Sequence, residues 1–491
     1  MKPVASFTRT RYALAAFLLA AAVYTITFSG HLSSPDSEVV LRTAVSLATE
    51  GSLAIEPIQS FSEFGYGKAE DGTLYSVFGP AVSVLMVPAI LLSDATLPLT
   101  EPLFKPLINR VRFLVYYPSS YPEHMRRLFA LFVNMLIMAA AVGVLCAILL
   151  RITTPANALM LSCMFAFGTF AWAYSRTLFS EPLAIFTALL SLLMLMRNTP
   201  KSLAAAGLAL GISCTSHITS VLFIPFYIVF ALWPNTLSET PADSEIPLLR
   251  RAITFIAPLA MMLILLGVYN YIRFDNPFET GRQGNYGEFF LNPTPWWALL
   301  VSGNKGLLWY APALLALPLF FTRALRRPTT VVLLLGIVLL RYVFICVRND
   351  WSGGFCVGPR FLLPVLPFIF IAAGYAAGKL SPRRRWLALA TLLVTMSFMT
   401  MIVSMDPLMY YSIIRDKIAA DPQLQWKMLW TSFPLSMPAN LQNNLPTDFL
   451  FVWALRTGHP LWLAAVGAVM GLLYAAMKYL GLPGNTKETK S

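Results

Sequence analysis

Residues 128–150 read LFALFVNMLIMAAAVGVLCAILL, an apolar run that contains no charged side chain. A helix that crosses the hydrocarbon core of a membrane needs about 20 predominantly apolar residues. This run is long enough, and Arg151 follows it directly, as expected where a helix leaves the bilayer on the cytoplasmic side. The stretch therefore predicts a transmembrane helix.

The composition of the chain extends this prediction beyond one helix. Of its 491 residues, 57% are hydrophobic and 12% are charged, and the mean hydropathy is +0.66. A soluble protein has about 25% charged residues with which to cover its surface. Because this chain has half that share, much of its surface must face lipid, and we expect an all-α polytopic membrane protein.

Further apolar runs predict about twelve transmembrane helices. The predicted spans are residues 12–29, 128–150, 158–174, 181–197, 202–214, 217–233, 252–272, 307–322, 330–347, 361–378, 386–404 and 461–480. Short basic clusters lie between these runs, and the positive-inside rule places them in the cytoplasm. The clustered residues are Arg9, Arg11, Arg250, Arg251, Arg323, Arg326, Arg327 and Arg383 to Arg385.

The chain has a formal net charge of +13, and its basic residues are placed largely in these short clusters. A nucleic-acid-binding protein would carry its basic residues as a patch or stripe on one polar face. No such stripe, interleaved with aromatic residues, occurs in this sequence, so we expect no nucleic-acid partner. The five cysteines are scattered without metal-ligand spacing, which is typical of small buried side chains.

The basic clusters also predict the orientation of the chain. Both termini lie inside, and counting crossings from them places residues 30–127 wholly on the extracytoplasmic side. The apolar run 76–93 within this segment is then expected to lie in the membrane surface or dip into it rather than cross. Arg126 and Arg127 run against the rule, because they would face outward.

Three long segments collect on the predicted outer side: 30–127, 273–306 and 405–460. Their concentration on one side indicates chemistry or recognition there. We therefore divide the chain into a transmembrane catalytic region, 1–404, and an extracytoplasmic segment, 405–460. The last transmembrane helix and a cytoplasmic tail follow in residues 461–491.

The first candidate site comes directly after the first predicted helix, in the sequence Pro35-Asp36-Ser37-Glu38. Asp36 follows a proline and could simply cap a helix. The alternative is a general base that removes a proton from a hydroxyl group at the outer membrane surface. Asp36 and Glu38 are therefore the candidate catalytic residues.

A turn-rich stretch, 65–80, contains GYGK and then DGTLYSVFGP. The Asp-Gly pair marks a turn, and the closing Gly-Pro suits the start of the apolar run behind it. A plain turn accounts for most of these residues. Lys68 and Tyr75 are nevertheless candidates for contacting a phosphate or a sugar.

Two more candidates lie at predicted membrane boundaries. Glu181 follows Arg176 in SRTLFSEP and could form an interfacial ion pair or begin a helix. It could equally be a second active-site carboxylate that contacts a sugar hydroxyl or a divalent ion. His217 lies in the turn of a predicted hairpin, where it is either a buried, satisfied side chain or a substrate contact.

Cationic residues and glycines occur together in the later outer segments. Arg282 and Lys305 belong to the segment 273–306, and Trp351 to Arg360 read WSGGFCVGPR. Glycines let a backbone approach a ligand closely, and an arginine can bind phosphate oxygens with two parallel hydrogen bonds. Arginine at a membrane boundary can also merely extend to the interface. We favour phosphate binding because the glycines, tryptophan and arginine occur together.

The order of these motifs resembles the GT-C superfamily of membrane glycosyltransferases. The shared features are an acid after the first helix, DG-x-x-Y-S-x-x-G-P, S-R-x-x-x-x-E-P and WSGG-x-x-x-GPR, the last similar to family-39-related members. The resemblance implies interfacial helices in the first outer loop, Asp36 as the base that activates the acceptor, and Glu38 as its orienting neighbour. It also implies that Glu181 contacts substrate or metal.

This sequence departs from the family at two places. Asp36-Ser37-Glu38 stands where many relatives have two adjacent acids, so metal dependence stays open. His217 stands where relatives often have a lysine, so binding of the donor phosphate could rest more on Arg360, Arg282 or Lys305.

The resemblance implies transfer of a monosaccharide from a polyprenyl-phosphate carrier to a glycan, lipid or protein acceptor. The enzyme would lie in the plasma (inner) membrane with its active site on the extracytoplasmic side. A secondary transporter or lipid flippase is the main alternative, and it would place ionisable residues in the middle of the membrane. A glycan polymerase or ligase of another membrane fold is the second.

Overall fold

The computed structural model describes residues 6–32, 34–56, 65–110, 120–237, 246–282, 288–354, 356–404 and 449–480. Helices dominate these ranges, and the only strands in them form one short hairpin. The predicted all-α class is therefore confirmed. Most of the predicted segment 405–460 lies outside the described residues, as does the tail after residue 480.

The helices follow the predicted spans closely in position. In the described ranges they are α1 (Ser6–Ile26), α2 (Pro35–Thr49), α3 (Pro80–Arg110), α4 (Tyr121–Leu149), α5 (Pro155–Phe167), α6 (Ala171–Tyr174), α7 (Glu181–Leu195), α8 (Pro200–Ser216), α9 (Ile224–Leu232), α10 (Leu248–Phe274), α11 (Thr294–Val301), α12 (Leu307–Tyr310), α13 (Pro328–Cys346), α14 (Leu366–Ala376), α15 (Pro382–Val403), α16 (Leu450–Arg456) and α17 (Leu461–Leu480). Short 3₁₀ segments are Ile218–Phe223, Pro234–Thr236, Pro312–Phe320 and Arg360–Val365. The hairpin joins β1 (Tyr66–Lys68) to β2 (Leu74–Ser76) with Gly67 opposite Tyr75.

Six helices in the described ranges are long and apolar enough to cross a membrane. They are Pro80–Ile108, Tyr121–Leu149, Leu248–Phe274, Pro328–Cys346, Pro382–Val403 and Leu461–Leu480. Shorter apolar helices at Pro155–Phe167, Glu181–Leu195, Ile218–Leu232 and Arg360–Ala376 coincide with other predicted spans. These features describe a multi-pass membrane protein, while the number of twelve crossings stays a prediction.

The buried core lies where α1, α4, α5 and α7 pack together. Trp172 and Tyr174 from the short α6 are almost fully buried there. The indole Nε1 of Trp172 donates to the hydroxyl of Thr27, 2.9 Å away at the end of α1. This contact fixes the turn after α1, from which α2 and the first candidate residues begin.

The two ends of the helix bundle differ in chemistry. At one of them, which we call the arginine end, arginines donate hydrogen bonds to backbone carbonyls at or just after the ends of other helices. The pairs are Arg151 with Met196, Arg251 with Ala231, Arg323 with Ile152, Arg327 with Asn235, and Arg384 with Phe321. The last carbonyls of a helix lack partners and carry partial negative charge, so an arginine stabilises them.

Both terminal helices reach this same end. Arg11 donates to the carbonyls of Lys478 and Tyr479, each 3.1 Å away, so α1 begins beside the end of α17. The Sγ of Cys146, near the end of α4, lies 3.7 Å from the carbonyl of Tyr12. The arginine end thus gathers the residues that the sequence places in the cytoplasm, which is the arrangement expected if both termini are inside.

The opposite end, which we call the site end, is crossed by α3. A Cβ on Gly79 would lie 1.9 Å from the carbonyl of Thr215 at the end of α8, so only glycine fits where α3 begins. Ser83 donates to the carbonyl of Val40 in α2 at 2.9 Å. Asp94 lies 2.8 Å from Arg126 at the start of α4. The first half of α3 therefore runs across the ends of other helices.

The extent of α3 differs from the prediction. The predicted interfacial run 76–93 is only the first half of a 31-residue helix, Pro80–Arg110, that is long and apolar enough to span. Four prolines lie inside this helix, and each removes a backbone donor. The apolar run ends at Asp94, and Glu101 and Lys105 follow, so the run is shorter than the helix.

The two arginines that the sequence predicts to face outward, Arg126 and Arg127, each have an acidic partner. Both nitrogens of the Arg126 fork bind Asp94 at 2.8 Å. Arg127 binds Glu38 in the same bidentate manner. Each arginine at the start of α4 is thus paired with an acid from the preceding segment, which weakens their conflict with the positive-inside rule.

Candidate active site

Two adjoining cavities open at the site end of the bundle. The inner cavity has a volume of about 240 Å³ and lies among the helices, whereas the outer cavity has about 600 Å³ and lies against the β-hairpin. Residues that line both are Asp36, Val77, Phe78, Arg282, Arg360 and Phe361. The cavities therefore meet at a junction that holds one acid and two arginines.

Helix ends build the inner cavity because successive helices run in opposite directions. Asp36 comes from the first turn of α2 and Glu181 from the first residue of α7. His217 directly follows α8, and Arg273 lies in the last turn of α10. Polar residues at membrane boundaries, scattered over most of the chain, are thereby brought into one place.

Asp36 and Arg360 form an ion pair at the junction. The Oδ2 of Asp36 accepts a hydrogen bond from Nη1 of Arg360 at 2.7 Å. Ser34 occupies the N-cap position of α2, so Asp36 is not the capping residue that the sequence allowed as an alternative. Its carboxylate is partly accessible, with 19% of the side chain exposed.

The path of Arg360 depends on the glycines before it. Gly353 has a φ of +71°, and a Cβ there would lie 2.9 Å from Cγ of Arg360. A side chain at this position would be strained and would displace the arginine. The guanidinium lies 4.9 Å from the ring centroids of both Phe179 and Phe361. The Gly-Gly motif and the two rings thus hold Arg360 in the junction.

Glu38 does not face the junction. Its Oε1 and Oε2 accept hydrogen bonds from Nη2 and Nε of Arg127 at 2.6 and 3.0 Å. It lines a separate cavity of about 230 Å³ behind α2, together with Arg42 and Arg126. The candidate pair Asp36 and Glu38 is therefore split: one acid reaches the site and the other anchors the helix that carries it.

Glu181 and His217 come together at the floor of the inner cavity. Oε1 of Glu181 lies 3.8 Å from Nε2 of His217, and Nδ1 of His217 lies 2.8 Å from the hydroxyl of Thr219. Burial, followed by the charge of Arg341, holds the pKa of His217 well below its usual range. His217 is therefore neutral at pH 7, and the contact with Glu181 is not a pairing of two charges.

Several arginines around the inner cavity are already engaged. Both nitrogens of the Arg348 fork bind Asp350 at 2.6 Å. Burial raises the pKa of Asp350, but the hydrogen bonds and charge of Arg348 outweigh it and lower the pKa below the usual value. Arg273 donates to Asn270 at 2.6 Å and to the carbonyl of Ser76.

Arg282 is held more loosely than these. Its Nη1 lies 3.7 Å from Asp350, beyond hydrogen-bond distance, and its guanidinium lies 5.9 Å from the ring centroid of Phe78. Arg282 and Arg360 are the two arginines that line both cavities. They are consequently best placed to bind an anion at the junction.

Lys305 has a different place from the one predicted. Its ammonium is buried and donates to the carbonyls of Gly354 and Cys356 at 2.9 and 2.8 Å. Burial lowers the pKa of this lysine. Lys305 lines neither cavity. It braces the glycine-rich loop that positions Arg360 instead of facing a phosphate.

Of the three remaining candidates, one lines a cavity and two do not. Lys68 lines the outer cavity. Tyr75 packs edge-on against Phe274 with ring centroids 5.9 Å apart and lines neither cavity. Trp351 likewise lines neither and packs partly buried against the apolar core. The predicted sugar or phosphate contacts of Tyr75 and Trp351 thus have no support in this geometry.

Sequence reasoning missed Arg341 and Asp350. Arg341 is fully buried in α13, and Asp350 joins Arg282 to Arg348. Arg341 could have been found, because it is the single charged residue in the predicted span 330–347, and such residues usually mark functional sites. Asp350 lies directly before WSGG, but nothing in the sequence indicates which arginines it pairs with.

The site does not fit a divalent metal ion. Glu181 was the candidate ligand, and its Oε1 lies 3.8 Å from Nε2 of His217. In the described part of the chain no three His, Cys, Asp or Glu side chains are grouped so as to hold a metal. Asp36, the other acid of the inner cavity, is paired with Arg360, and the remaining charged groups there are arginines, which have no lone pair to offer. We derive no step through a metal.

Comparison with known proteins gives a limited result. No protein-family model and no curated protein sequence matches the chain. Two solved structures similar to it are both of ArnT from Cupriavidus metallidurans. The structure in the apo state has a TM-score of 0.49 at 13% identity, covering 95% of this chain and 76% of that one. The structure bound to undecaprenyl phosphate has a TM-score of 0.45 at 13% identity, covering 95% of this chain and 77% of that one.

Proposed function

We propose that this protein is a GT-C-type membrane glycosyltransferase that moves a monosaccharide from a polyprenyl-phosphate carrier to an extracytoplasmic acceptor. The observation that carries the proposal is the ion pair between Asp36 and Arg360 at the junction of the two cavities. A transfer from a phosphate to a hydroxyl needs a base for the incoming group and a cation for the leaving group, close together. The junction supplies both.

The inner cavity suits the sugar-phosphate end of the donor. Its volume of about 240 Å³ falls below the roughly 300–1,000 Å³ of pockets that take drug-sized ligands. Four arginines line it against two acids, Asp36 and Glu181, so the local charge favours an anion. The arginines are Arg273, Arg282, Arg348 and Arg360. A polyprenyl tail would remain among the apolar helices, whose outer faces are suited to lipid.

The outer cavity suits the acceptor. Its volume of about 600 Å³ lies within the range of about 300–1,000 Å³ for ligand pockets. Glycines form much of its wall, including Gly65, Gly67 and Gly281. Exposed backbone groups there can bind a polar acceptor, and Lys68 adds a positive charge. The acceptor hydroxyl or amine would approach Asp36 from this side.

The reaction follows from this arrangement. The acceptor oxygen gives its proton to the carboxylate of Asp36 and forms a bond to the anomeric carbon. The bond between that carbon and the phosphate oxygen breaks, and its electron pair leaves with the polyprenyl phosphate. Arg360 and Arg282 stabilise the phosphate charge that develops. Attack and departure on opposite sides of the carbon invert its configuration.

A phosphate in the junction would compete with Asp36 for Arg360. As the guanidinium shifts toward the phosphate, the carboxylate loses its partner and becomes a stronger base. Donor binding would thereby prepare Asp36 for proton transfer. A secondary transporter or lipid flippase remains the alternative, favoured only by the buried Arg341 inside α13.

The test uses purified protein in lipid nanodiscs with radiolabelled polyprenyl-phosphate monosaccharides and an envelope extract as acceptor. Asp36→Asn should lower the transfer rate about 10²–10⁴-fold, the contribution of a general base. Glu101→Gln is the matched control, because Glu101 is a half-buried acid outside both cavities whose ion pair, among the described residues, is with Lys105 on α3. Transfer that survives Asp36→Asn removes the proposed base, and carrier movement without sugar transfer favours the flippase.

A further inference from the structure

Arg341 is a buried arginine that takes no part in the reaction proposed above. Its side chain is 0% exposed, and its Nε donates to the carbonyl of Phe361 at 2.5 Å. Within the described residues, neither Nη1 nor Nη2 has a hydrogen-bond partner. A buried donor without a partner is costly, and ionisable residues inside membrane helices usually serve a function.

The position of Arg341 connects it to the inner cavity. Ile345 lines that cavity, and it lies four residues further along α13, on the same helical face as Arg341. Arg341 is therefore one turn deeper than the cavity wall. Phe361, whose carbonyl accepts from Arg341, lines the cavity with its side chain.

Glu181 presents the complementary atom. It lines the inner cavity and is 2% exposed, and its Oε2 has no hydrogen-bond partner among the described residues. Its other oxygen faces His217. The ring of Phe361, whose carbonyl accepts from Arg341, packs edge-on against His217 with ring centroids 6.2 Å apart. Unmet donors and an unmet acceptor are thus both linked to the contact between Phe361 and His217 at the inner cavity.

The two groups select the chemistry of their ligand. A phosphate only accepts hydrogen bonds and cannot satisfy Glu181, whereas an ammonium only donates and cannot satisfy Arg341. A hydroxyl group does both. We propose that Arg341 and Glu181 together bind one hydroxyl group of the sugar being transferred, which makes Arg341 a specificity-determining residue. This inference rests on the function proposed above.

The inference predicts discrimination against one deoxy sugar. A site built to hydrogen-bond a hydroxyl rejects the analogue that lacks it by as much as about 10⁴-fold, because its buried polar groups stay unpaired. The probes are polyprenyl-phosphate glucose and polyprenyl-phosphate mannose, their singly deoxygenated forms, and polyprenyl phosphate without sugar. Binding is measured in nanodiscs to protein carrying Asp36→Asn, so that no donor is consumed.

One deoxy form should bind at least about 100-fold more weakly than its parent. Adding Arg341→Met should reduce this difference to less than about tenfold and leave polyprenyl phosphate affinity within about threefold, because the phosphate contacts Arg282 and Arg360 instead. Arg341→Lys should fall between, because it keeps the charge but loses the fork. Leu339→Met is the control, a volume-conserving change on the exposed face of α13.

The possible outcomes distinguish a failure of the sugar-hydroxyl site from a failure of the proposed glycosyltransferase function. If polyprenyl phosphate binds and Arg341→Met leaves the deoxy discrimination unchanged, Arg341 does not read the sugar. The same conclusion follows if neither sugar binds more tightly than the bare carrier, or if every deoxy form binds like its parent. If bare polyprenyl phosphate fails to bind even without Arg341→Met, the proposed function falls and this inference falls with it.

Discussion

Glu38 and Arg127 form a buried bidentate ion pair, with 1% and 5% of their side chains exposed. The pair holds one face of the first turn of α2. Asp36 lies two residues earlier and therefore points to a different face of the helix, where it meets Arg360. The turn that carries the candidate base is consequently fixed from two sides, by arginines from α4 and from the segment before α14.

Breaking the Glu38–Arg127 pair should destabilise the protein strongly. Arg127→Met leaves a buried carboxylate without its main partner, at a cost of about 3–5 kcal/mol. The double variant Glu38→Leu/Arg127→Met should recover most of that loss, since an apolar pair can replace a buried ion pair. Thermal unfolding in one detergent measures both. Single and double variants with equal melting temperatures would contradict this reading.

Arg360→Gln should weaken donor binding. Removing one partner of a buried charge contact costs at least about 2 kcal/mol, which corresponds to a rise in the KM for the donor of roughly 30-fold. Arg360→Lys should recover only part of this, because lysine cannot bind two phosphate oxygens as a fork. Arg384→Gln at the arginine end is the control. The idea fails if Arg360→Gln changes kcat alone and leaves the KM for the donor untouched.

Lys305→Met should affect stability more than donor affinity. The substitution leaves the carbonyls of Gly354 and Cys356 without this donor, and the loss at the buried Cys356 carbonyl costs about 1–3 kcal/mol. We expect a lower melting temperature and slower transfer, with affinity for polyprenyl phosphate changed less than about threefold. A large loss of affinity at an unchanged melting temperature would restore Lys305 as a phosphate ligand.

The stability of the protein should fall on acidification because of His217. Its pKa in the folded state is lowered by burial and by Arg341, so the unfolded chain binds more protons once the pH drops below about 6.5. The neutral ring therefore contributes full stability above that pH, and the contribution shrinks as the pH falls toward the folded pKa. Melting temperatures between pH 7.5 and 5 should decline less in His217→Gln than in the wild type.

Chelation should leave sugar transfer unchanged. The described residues around Glu181 offer one histidine and several arginines but no group of three metal-binding side chains. Activity measured with excess EDTA, and again after adding Mg²⁺ or Mn²⁺, should agree within about twofold of each other. A loss with EDTA that Mn²⁺ reverses would show that ligands for the ion come from elsewhere.

The sequence predicted helix positions well because a membrane helix is marked by its own composition. The run 128–150 matches α4, apart from the amphipathic first turns that begin at Tyr121. Segments that prolines or charged residues interrupt were harder to predict from the sequence. Proline-rich residues 312–320 form a 3₁₀ segment, and α3 continues through four prolines to Arg110, beyond the apolar run that ends at Asp94. Helix continuity through prolines depends on neighbouring helices that satisfy the backbone.

Five of the ten candidate residues named from the sequence lie together, whereas Glu38, Lys305, Tyr75 and Trp351 line neither the inner nor the outer cavity. Asp36, Glu181, His217, Arg282 and Arg360 all line the inner cavity. The sequence could not predict the partner of each charge, because ion pairs depend on distances between helices far apart in the chain. Glu38 and Arg127 are 89 positions apart, and no local pattern relates them. The roles assigned to the site residues, like the division of the chain at residues 404 and 460, stay predictions.

The arginine end has a consequence for how the protein reaches its membrane. Arginines that the positive-inside rule assigns to cytoplasmic loops also close the ends of finished helices. A helix inserted in the opposite orientation would place its arginine at the other end of the bundle, away from the carbonyl that accepts its hydrogen bond. The same arginine–carbonyl contacts therefore depend on both correct orientation and correct folding. A chain inserted with the wrong topology would lack these contacts and would be less stable.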